Sequence, residues 1–211
     1  RMLNANDEVC GAITFGGSES IMLPMLAYRE RAREEQGITA PEMVVPNTIH
    51  PAFNKGAHLF GIKLTQVPVG PDFLADVDAM RGAVTANTIA IAGSAANYPH
   101  GLIDPLERLS ELALERGIGF HVDGCLGGFL LPYFERLGAP VPPFDFRVPG
   151  VTSLSVDLHK YAFAAKGASV VLYRDAARRR PQLYACATWS GYTLVNPTLQ
   201  SSKSGGPLAG A

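Results

Sequence analysis

The strongest constraint on the fold is an alternation. Short runs of β-branched and apolar residues are separated by longer stretches with helical periodicity. The strand candidates are Met43–Val45, Lys63–Val67, Thr88–Ala92, Gly119–Val122, Val151–Val156 and Ser169–Tyr173. Each is short and apolar on both faces, the signature of strands covered by helices from two sides. The helix candidates between them are Ser18–Glu35, Pro51–Phe60, Asp72–Val84 and Pro105–Arg116. Gly37 and Gly61 stand where helix C-caps are wanted, Pro51 at a first helical position, and Asp104-Pro105 as an N-cap and N1 pair. Pro24 falls in the first turns of its helix and is expected to kink it. This order of elements predicts an open, mainly parallel α/β sheet. Such sheets bind ligands in the crevice at the carboxyl ends of their strands, so residues just past the strands deserve inspection. The Ser- and Gly-rich tail from Gln200 to Ala211 has no periodicity of its own.

Composition removes several function classes. A formal charge of −1 lacks the basic excess of a nucleic-acid-coating protein. No apolar run approaches the roughly 20 residues that span a bilayer. Cys10, Cys125 and Cys186 include no C-x-x-C pair, which argues against a dithiol or structural zinc motif and for reduced thiols inside a cell.

Four stretches carry chemistry. Gly16-Gly17-Ser18-Glu19-Ser20 precedes a helix. Its glycines let backbone N–H groups approach an anion, the helix start adds positive potential, and Ser18 and Ser20 offer hydroxyls. An ordinary helix cap is the plainer reading. His121-Val122-Asp123-Gly124-Cys125 ends a strand, where period 2 puts His121, Asp123 and Cys125 on one side. A poorly solvated Asp123 needs a cationic partner, and a protonated pyridine nitrogen is one. A zinc site and a merely structural aspartate are the alternatives. Asp157-Leu158-His159-Lys160 places a lysine at a strand end, where desolvation and cationic neighbours make it a Schiff-base former. Lys166 is a second candidate, and a solvated surface lysine is the bland one. His50-Pro51 follows another strand; its imidazole could stack on a flat ring or simply cap the next helix. Ser18, His50, Asp123 and Lys160 occur in this order, each after a candidate strand. Together they describe a pyridoxal phosphate site. A nicotinamide dehydrogenase is a weaker fit, because the G-x-G-x-x-G fingerprint is missing.

These stretches, with Asn97-Tyr98-Pro99-His100-Gly101 and Leu126-Gly127-Gly128-Phe129, carry a resemblance. The sequence resembles the pyridoxal-phosphate-dependent group II decarboxylase superfamily and, within it, the sphingosine phosphate lyase branch. The resemblance implies the aspartate aminotransferase-like fold (fold type I), a mainly parallel seven-stranded sheet flanked by helices. It implies Lys160 as the Schiff-base lysine and proton carrier, Asp123 as the pyridinium partner and His50 as the ring-stacking residue. Gly17, Ser18 and His159 become phosphate contacts, Cys125 lies against the cofactor, and Asn97, Tyr98 and Lys166 line the substrate site. No metal is implied. Ser201–Gly206 resembles a loop that reaches the neighbouring subunit's phosphate, which makes Ser202 a cofactor contact and implies a homodimer with a shared site. Asn54, Ala162, Ala165 and Lys203 depart from the family pattern. Gly16, Gly17, Gly127 and Gly128 are expected where the chain passes close to the cofactor or turns beside it.

The reaction so implied cleaves a carbon–carbon bond next to an amine, turning a phosphorylated long-chain base into a fatty aldehyde and phosphoethanolamine. An amino-acid decarboxylase and a non-catalytic dimerising relative are the alternatives. Residues 1–211 would then form one large cofactor domain cut from a longer protein, without its N-terminal segment and C-terminal small domain, and a helix should already run at Arg1. The expected setting is intracellular: cytoplasmic in a bacterium, or at the endoplasmic reticulum if an anchor lies outside the chain.

Overall fold

A computed structural model describes residues 2–211; Arg1, where a running helix is expected, lies outside the described residues. The strands are β1 (Cys10–Thr14), β2 (Glu42–Pro46), β3 (Lys63–Val67), β4 (Thr88–Ser94), β5 (Gly119–Asp123), β6 (Ser153–Asp157), β7 (Ser169–Tyr173), β8 (Tyr184–Cys186) and β9 (Leu194–Asn196). The helices are α1 (Gly17–Gln36), α2 (Ala52–Phe60), α3 (Val77–Ala83), α4 (Leu106–Arg116), α5 (Leu131–Arg136), α6 (Ala176–Arg179) and α7 (Gly205–Ala209). The main sheet is seven-stranded in the order β1-β7-β6-β5-β4-β2-β3. β3, β2, β4, β5 and β6 pair in parallel, and β7 runs antiparallel to both its neighbours. β8 and β9 form a separate hairpin pair. The α/β class and mainly parallel sheet expected from the sequence are what the chain adopts.

The two faces of the sheet differ. Val44, Ile91, Phe120, Val122, Leu154 and Val156 join Leu109 and Leu112 of α4 in an apolar core. On the opposite face Met43, Val45 and Ala92 pack with Ile21 and Met25 of α1 and Phe53 of α2. Along β5 and β6 that second face turns polar, because the alternate residues there are His121, Asp123, Ser153, Ser155 and Asp157, all buried. These polar side chains lie under α1.

Four expectations need correction. β1 was not legible as a strand; it completes the sheet at an edge and contains Gly11, whose Cβ would lie 2.2 Å from the Val171 carbonyl oxygen. β3 is an edge strand, so it is half-exposed rather than covered on both faces. Helix α3 starts only at Val77, because the Asp76 carboxylate accepts the Ala79 N–H and caps it there. Asp104 does not cap α4: its buried carboxylate accepts the N–H groups of Ser94 and Ala75, tying the end of β4 to the chain before α3. Burial raises the Asp104 pKa, against the lowering effect of those two bonds. In the tail, Gly205–Ala209 forms the short α7.

Candidate functional site

The carboxyl ends of β2, β5 and β6 and the start of α1 surround one cleft. Its inner part, about 160 Å³, is lined by Gly17, Ser18, His50, Asp123, Asp157 and Lys160, with Cys125 and His159 beside them. An outer part shares His50, Asp123, Cys125 and Lys160 and adds Tyr98. Thus residues separated by more than a hundred positions in the chain meet where the strand order predicts.

Helix α1 begins at Gly17 with Gly16 as its N-cap, at φ 104°, a conformation suited to glycine. Ser18 sits within the first turn and makes no cap bond. The Glu19 carboxylate accepts the Phe15 N–H (2.6 Å) and the N–H groups of Leu199 (2.9 Å) and Gln200 (3.2 Å), fastening the tail to the helix start. Ser20 is not part of this cradle. It is buried, and bonds Thr14 Oγ1 (2.5 Å) and Ser169 Oγ (2.7 Å). A Cβ on Gly17 would lie 2.5 Å from Asp157 Oδ2, so glycine is what lets the helix start sit on that carboxylate.

Asp157, 1% exposed, is the residue to which the sequence assigned no role. Its Oδ1 accepts the Ser169 hydroxyl at 2.5 Å. Its Oδ2 lies 3.0 Å from Lys160 Nζ and 3.7 Å from His159 Nε2. The signal was present: a strand-end acid three residues before the lysine. For Lys160, burial pulls the pKa down, but Cys125, Asp157 and Asp123 more than offset it and hold the ammonium above its ordinary value. Desolvation is therefore present, as expected, while in place of cationic neighbours stand the carboxylates of Asp157 and Asp123.

Asp123 is 7% exposed. It accepts the Cys125 N–H (3.0 Å) and the Ser155 hydroxyl (3.3 Å) on Oδ1. Among the described residues no cation lies within ion-pair distance of it. His50 accepts the Ala52 N–H on Nδ1 (3.1 Å), which ties the ring to the start of α2 where it lines the cleft. His159 Nδ1 bonds the Ala168 carbonyl at 2.8 Å and must carry a hydrogen. Burial pushes the Cys125 thiol well up, helped by Asp123 and Asp157.

The remaining candidates are placed less centrally. Asn97 is buried below the rim, its Oδ1 taken by the His100 N–H and its Nδ2 without a partner. Tyr98 is exposed at the outer mouth. Lys166 is exposed and Ser202 is exposed, and neither lines the cleft of its own chain. Gly127 and Gly128 serve packing: a Cβ would lie 2.2 Å from the Ala95 oxygen and from Val156 Cγ1, respectively. His121 turns away from the cleft and shares no metal cluster; among the described residues no group of three or more His, Cys, Asp or Glu could hold a metal ion. No described helix is long and apolar enough to cross a membrane.

The chain is 52% identical over 204 residues to the sphingosine-1-phosphate lyase of Arabidopsis thaliana, covering 97% of this chain and 38% of that protein. It is 46% identical over 209 residues to that of Dictyostelium discoideum, covering 99% and 39%. The chain thus spans under two-fifths of the length of these relatives. Among solved structures, the sphingosine-1-phosphate lyase of Burkholderia pseudomallei superposes with a TM-score of 0.94 at 50% identity, over 96% of this chain and 46% of that one. The glutamate decarboxylase of Lactobacillus brevis follows with a TM-score of 0.84 at 26% identity, over 99% and 50%. The pyridoxal-dependent decarboxylase conserved domain matches residues 2–189, and this chain belongs to that family.

Proposed function

We propose that the cleft is the pyridoxal phosphate site of a carbon–carbon lyase acting on phosphorylated long-chain bases. One observation carries the assignment. Asp123 is a buried carboxylate that faces the cleft with neutral donors alone, across from Lys160. A buried anion without a cation is costly, so its complement belongs to a ligand, and a pyridinium N–H fits. The cradle fits as well: Gly17 admits no side chain, Ser18 adds a hydroxyl, and the start of α1 offers N–H groups to a phosphate. Bound there, pyridoxal phosphate supplies an electron sink for the carbon next to the substrate amine.

The chain's own residues have definite tasks. Lys160 would hold the cofactor through Nζ and carry a proton to or from the amine-bearing carbon. Asp157 anchors the Lys160 ammonium while the amine is not engaged. His50 braces the ring face, fixed by its bond to Ala52 N. His159 can donate to a phosphate oxygen from Nε2 only as the doubly protonated ring, since Nδ1–H is spent on Ala168. Cys125 closes the inner wall. Tyr98 stands at the mouth, where a substrate enters; Asn97 supports that loop from below. In the reaction the bond between the amine-bearing and hydroxyl-bearing carbons breaks. The hydroxyl loses its proton and becomes the aldehyde, and the amine-bearing carbon gains one, leaving phosphoethanolamine.

A homodimer with a shared site accords with two features. Phe15, Tyr161, Phe163, Trp189 and Tyr192 are exposed aromatics, and Ser202, with Lys203, is held outside its own cleft. Lys166 belongs to the substrate side of such an assembly.

The test is reconstitution of the full-length protein with pyridoxal phosphate and a phosphorylated long-chain base. Long-chain aldehyde and phosphoethanolamine are expected in equal amounts. Carbon dioxide from an amino acid, with no aldehyde, would establish the decarboxylase instead. Borohydride should trap the cofactor on the peptide carrying Lys160; a trapped adduct that persists in Lys160→Ala overturns the lysine assignment, and no adduct with any protein supports the non-catalytic relative.

A further inference from the structure

Behind Asp123 runs a continuous chain of buried hydrogen bonds. Ser155 Oγ donates to Asp123 Oδ1 at 3.3 Å. His121 Nε2 lies 3.2 Å from Ser155 Oγ, and His121 Nδ1 lies 2.7 Å from Ser153 Oγ. Ser153 Oγ is 2.5 Å from the Tyr28 hydroxyl, which is 2.7 Å from Thr152 Oγ1. The alternation along β5 and β6 puts His121, Asp123, Ser153 and Ser155 on the sheet face covered by α1, and Phe53 of α2 meets the His121 ring edge-on at 5.8 Å.

The carboxylate sets the direction of this chain. Ionised Asp123 only accepts, so the Ser155 proton points at it. Ser155 Oγ must then accept from its other partners, the His121 Nε2–H and the Cys125 thiol at 3.3 Å. With its proton on Nε2, His121 accepts on Nδ1 from Ser153, which in turn accepts from Tyr28. From Tyr28 to Asp123 every donor aims the same way, the chain ending at Thr152, whose hydroxyl donates to the Phe120 carbonyl oxygen at 3.0 Å, and such chains polarise cooperatively in a low-dielectric interior.

The geometry points to His121 as a positioning residue for Asp123: as the neutral Nε2–H tautomer, it acts through Ser155 to hold the carboxylate ionised and turned toward the cleft. The inference rests on the reading of Asp123 as the pyridinium partner. His121 never touches the ligand. Burial agrees with a neutral ring, lowering its pKa to about 4 against the raising effect of Asp123. The titratable groups around Asp123 are Asp157, His159 and Lys160 from the β6 side, His50 from the β2–α2 loop, Cys125 beyond β5, and Tyr28 from α1 at the far end.

The test uses the full-length protein with and without pyridoxal phosphate. In cofactor-free protein carrying nitrogen-15 histidine, His121 should show the neutral Nε2–H tautomer at pH 7. The Nδ1–H tautomer or an imidazolium overturns the inference. In loaded protein the readout is the pH at which the bound cofactor's visible absorption changes. His121→Gln places its amide nitrogen near Nε2 and keeps the donor to Ser155. His121→Asn reaches only the place of Nδ1, and His121→Phe removes both groups while keeping a ring against Phe53. His121→Gln should match the unsubstituted protein, whereas the Asn and Phe variants move that pH by about one unit. Asn and Gln behaving alike, or Phe behaving as the unsubstituted protein, overturns it. The tautomer needs no variant to fold. If Asp123→Asn leaves the absorption unchanged at every pH, the reading of Asp123 falls, and the tautomer measured without cofactor still decides the relay.

Discussion

Asp123 and Asp157 end adjacent strands and face the same cleft, yet the chain treats them differently. Asp157 has its cation built in, with Lys160 Nζ at 3.0 Å, and the His159 ring at 3.7 Å. Asp123 has only an amide and a hydroxyl. Their supports differ too. Behind Asp157 stand hydroxyls alone, Ser169, Ser20 and Thr14. Behind Asp123 stands a histidine between two serines. On the function proposed here, the contrast separates a structural anion, neutralised on folding, from one whose counter-charge would arrive with a ligand.

Exchanging each carboxylate for its amide should break this symmetry most visibly. Asp123→Asn is expected to lower turnover of the loaded full-length protein by a hundred- to several-thousandfold, the roughly 3–5 kcal/mol lost when one member of a buried ion pair is removed. The melting temperature of the cofactor-free protein should hold, because the amide oxygen keeps both donors. A cofactor-free protein that melts much lower would assign Asp123 a structural role as well.

Acid should act next, through His121 behind Asp123. Between pH 6.5 and about 4 the unfolded chain protonates His121 and the folded chain does not. Stability is therefore complete above pH 6.5 and is lost as pH falls toward 4, by at most about 3 kcal/mol. Urea midpoints measured across this window should fall more steeply in the natural protein than in His121→Gln. Parallel slopes would show that the ring titrates normally.

Asp157→Asn follows, with the opposite signature to Asp123→Asn: about 1–3 kcal/mol of unfolding free energy lost without cofactor, because Lys160 loses its partner. Denaturation of the cofactor-free protein measures it. The smallest effect belongs to Ser18→Ala. Its hydroxyl makes no cap bond, so stability should stay within about 0.5 kcal/mol, while cofactor affinity weakens by up to about tenfold, the value of one hydrogen bond.

Much of this was legible in the sequence. β3 and β7 fall where the β-branched runs place them, and period 2 put His121 and Asp123 on one face of β5, with Cys125 just beyond the strand reaching the same Ser155. Local patterns carry such information because strand alternation is a local property. β1 escaped because Gly11 and Ala12 give it little β-propensity, and only its pairing with β7 makes it a strand. Asp104 and Ser20 were misread for a related reason. Each has a local role available, as helix cap or anion donor, and each spends its polar atoms on residues distant in the chain. The relay behind Asp123 was invisible because its links alternate between β5, β6 and α1. The parts of the site that depend on one strand end were readable; the parts that depend on what lies beside it were not.

The antiparallel course of β7 has a final consequence. A parallel neighbour to β6 would require a crossover of about a dozen residues or more, usually with a helix of its own. Here the chain returns at once, and residues 158–168 are closed at both ends by Asp157 pairing with Ser169 and by the His159 N–H bonding the Ala168 oxygen. Lys160 sits inside that short closed loop. The loop-closure entropy is spent when the sheet forms, so the lysine brings little backbone disorder to be frozen at the moment it grips a ligand. For the same reason an insertion in residues 158–168 should harm the site far more than one of equal length between β8 and β9.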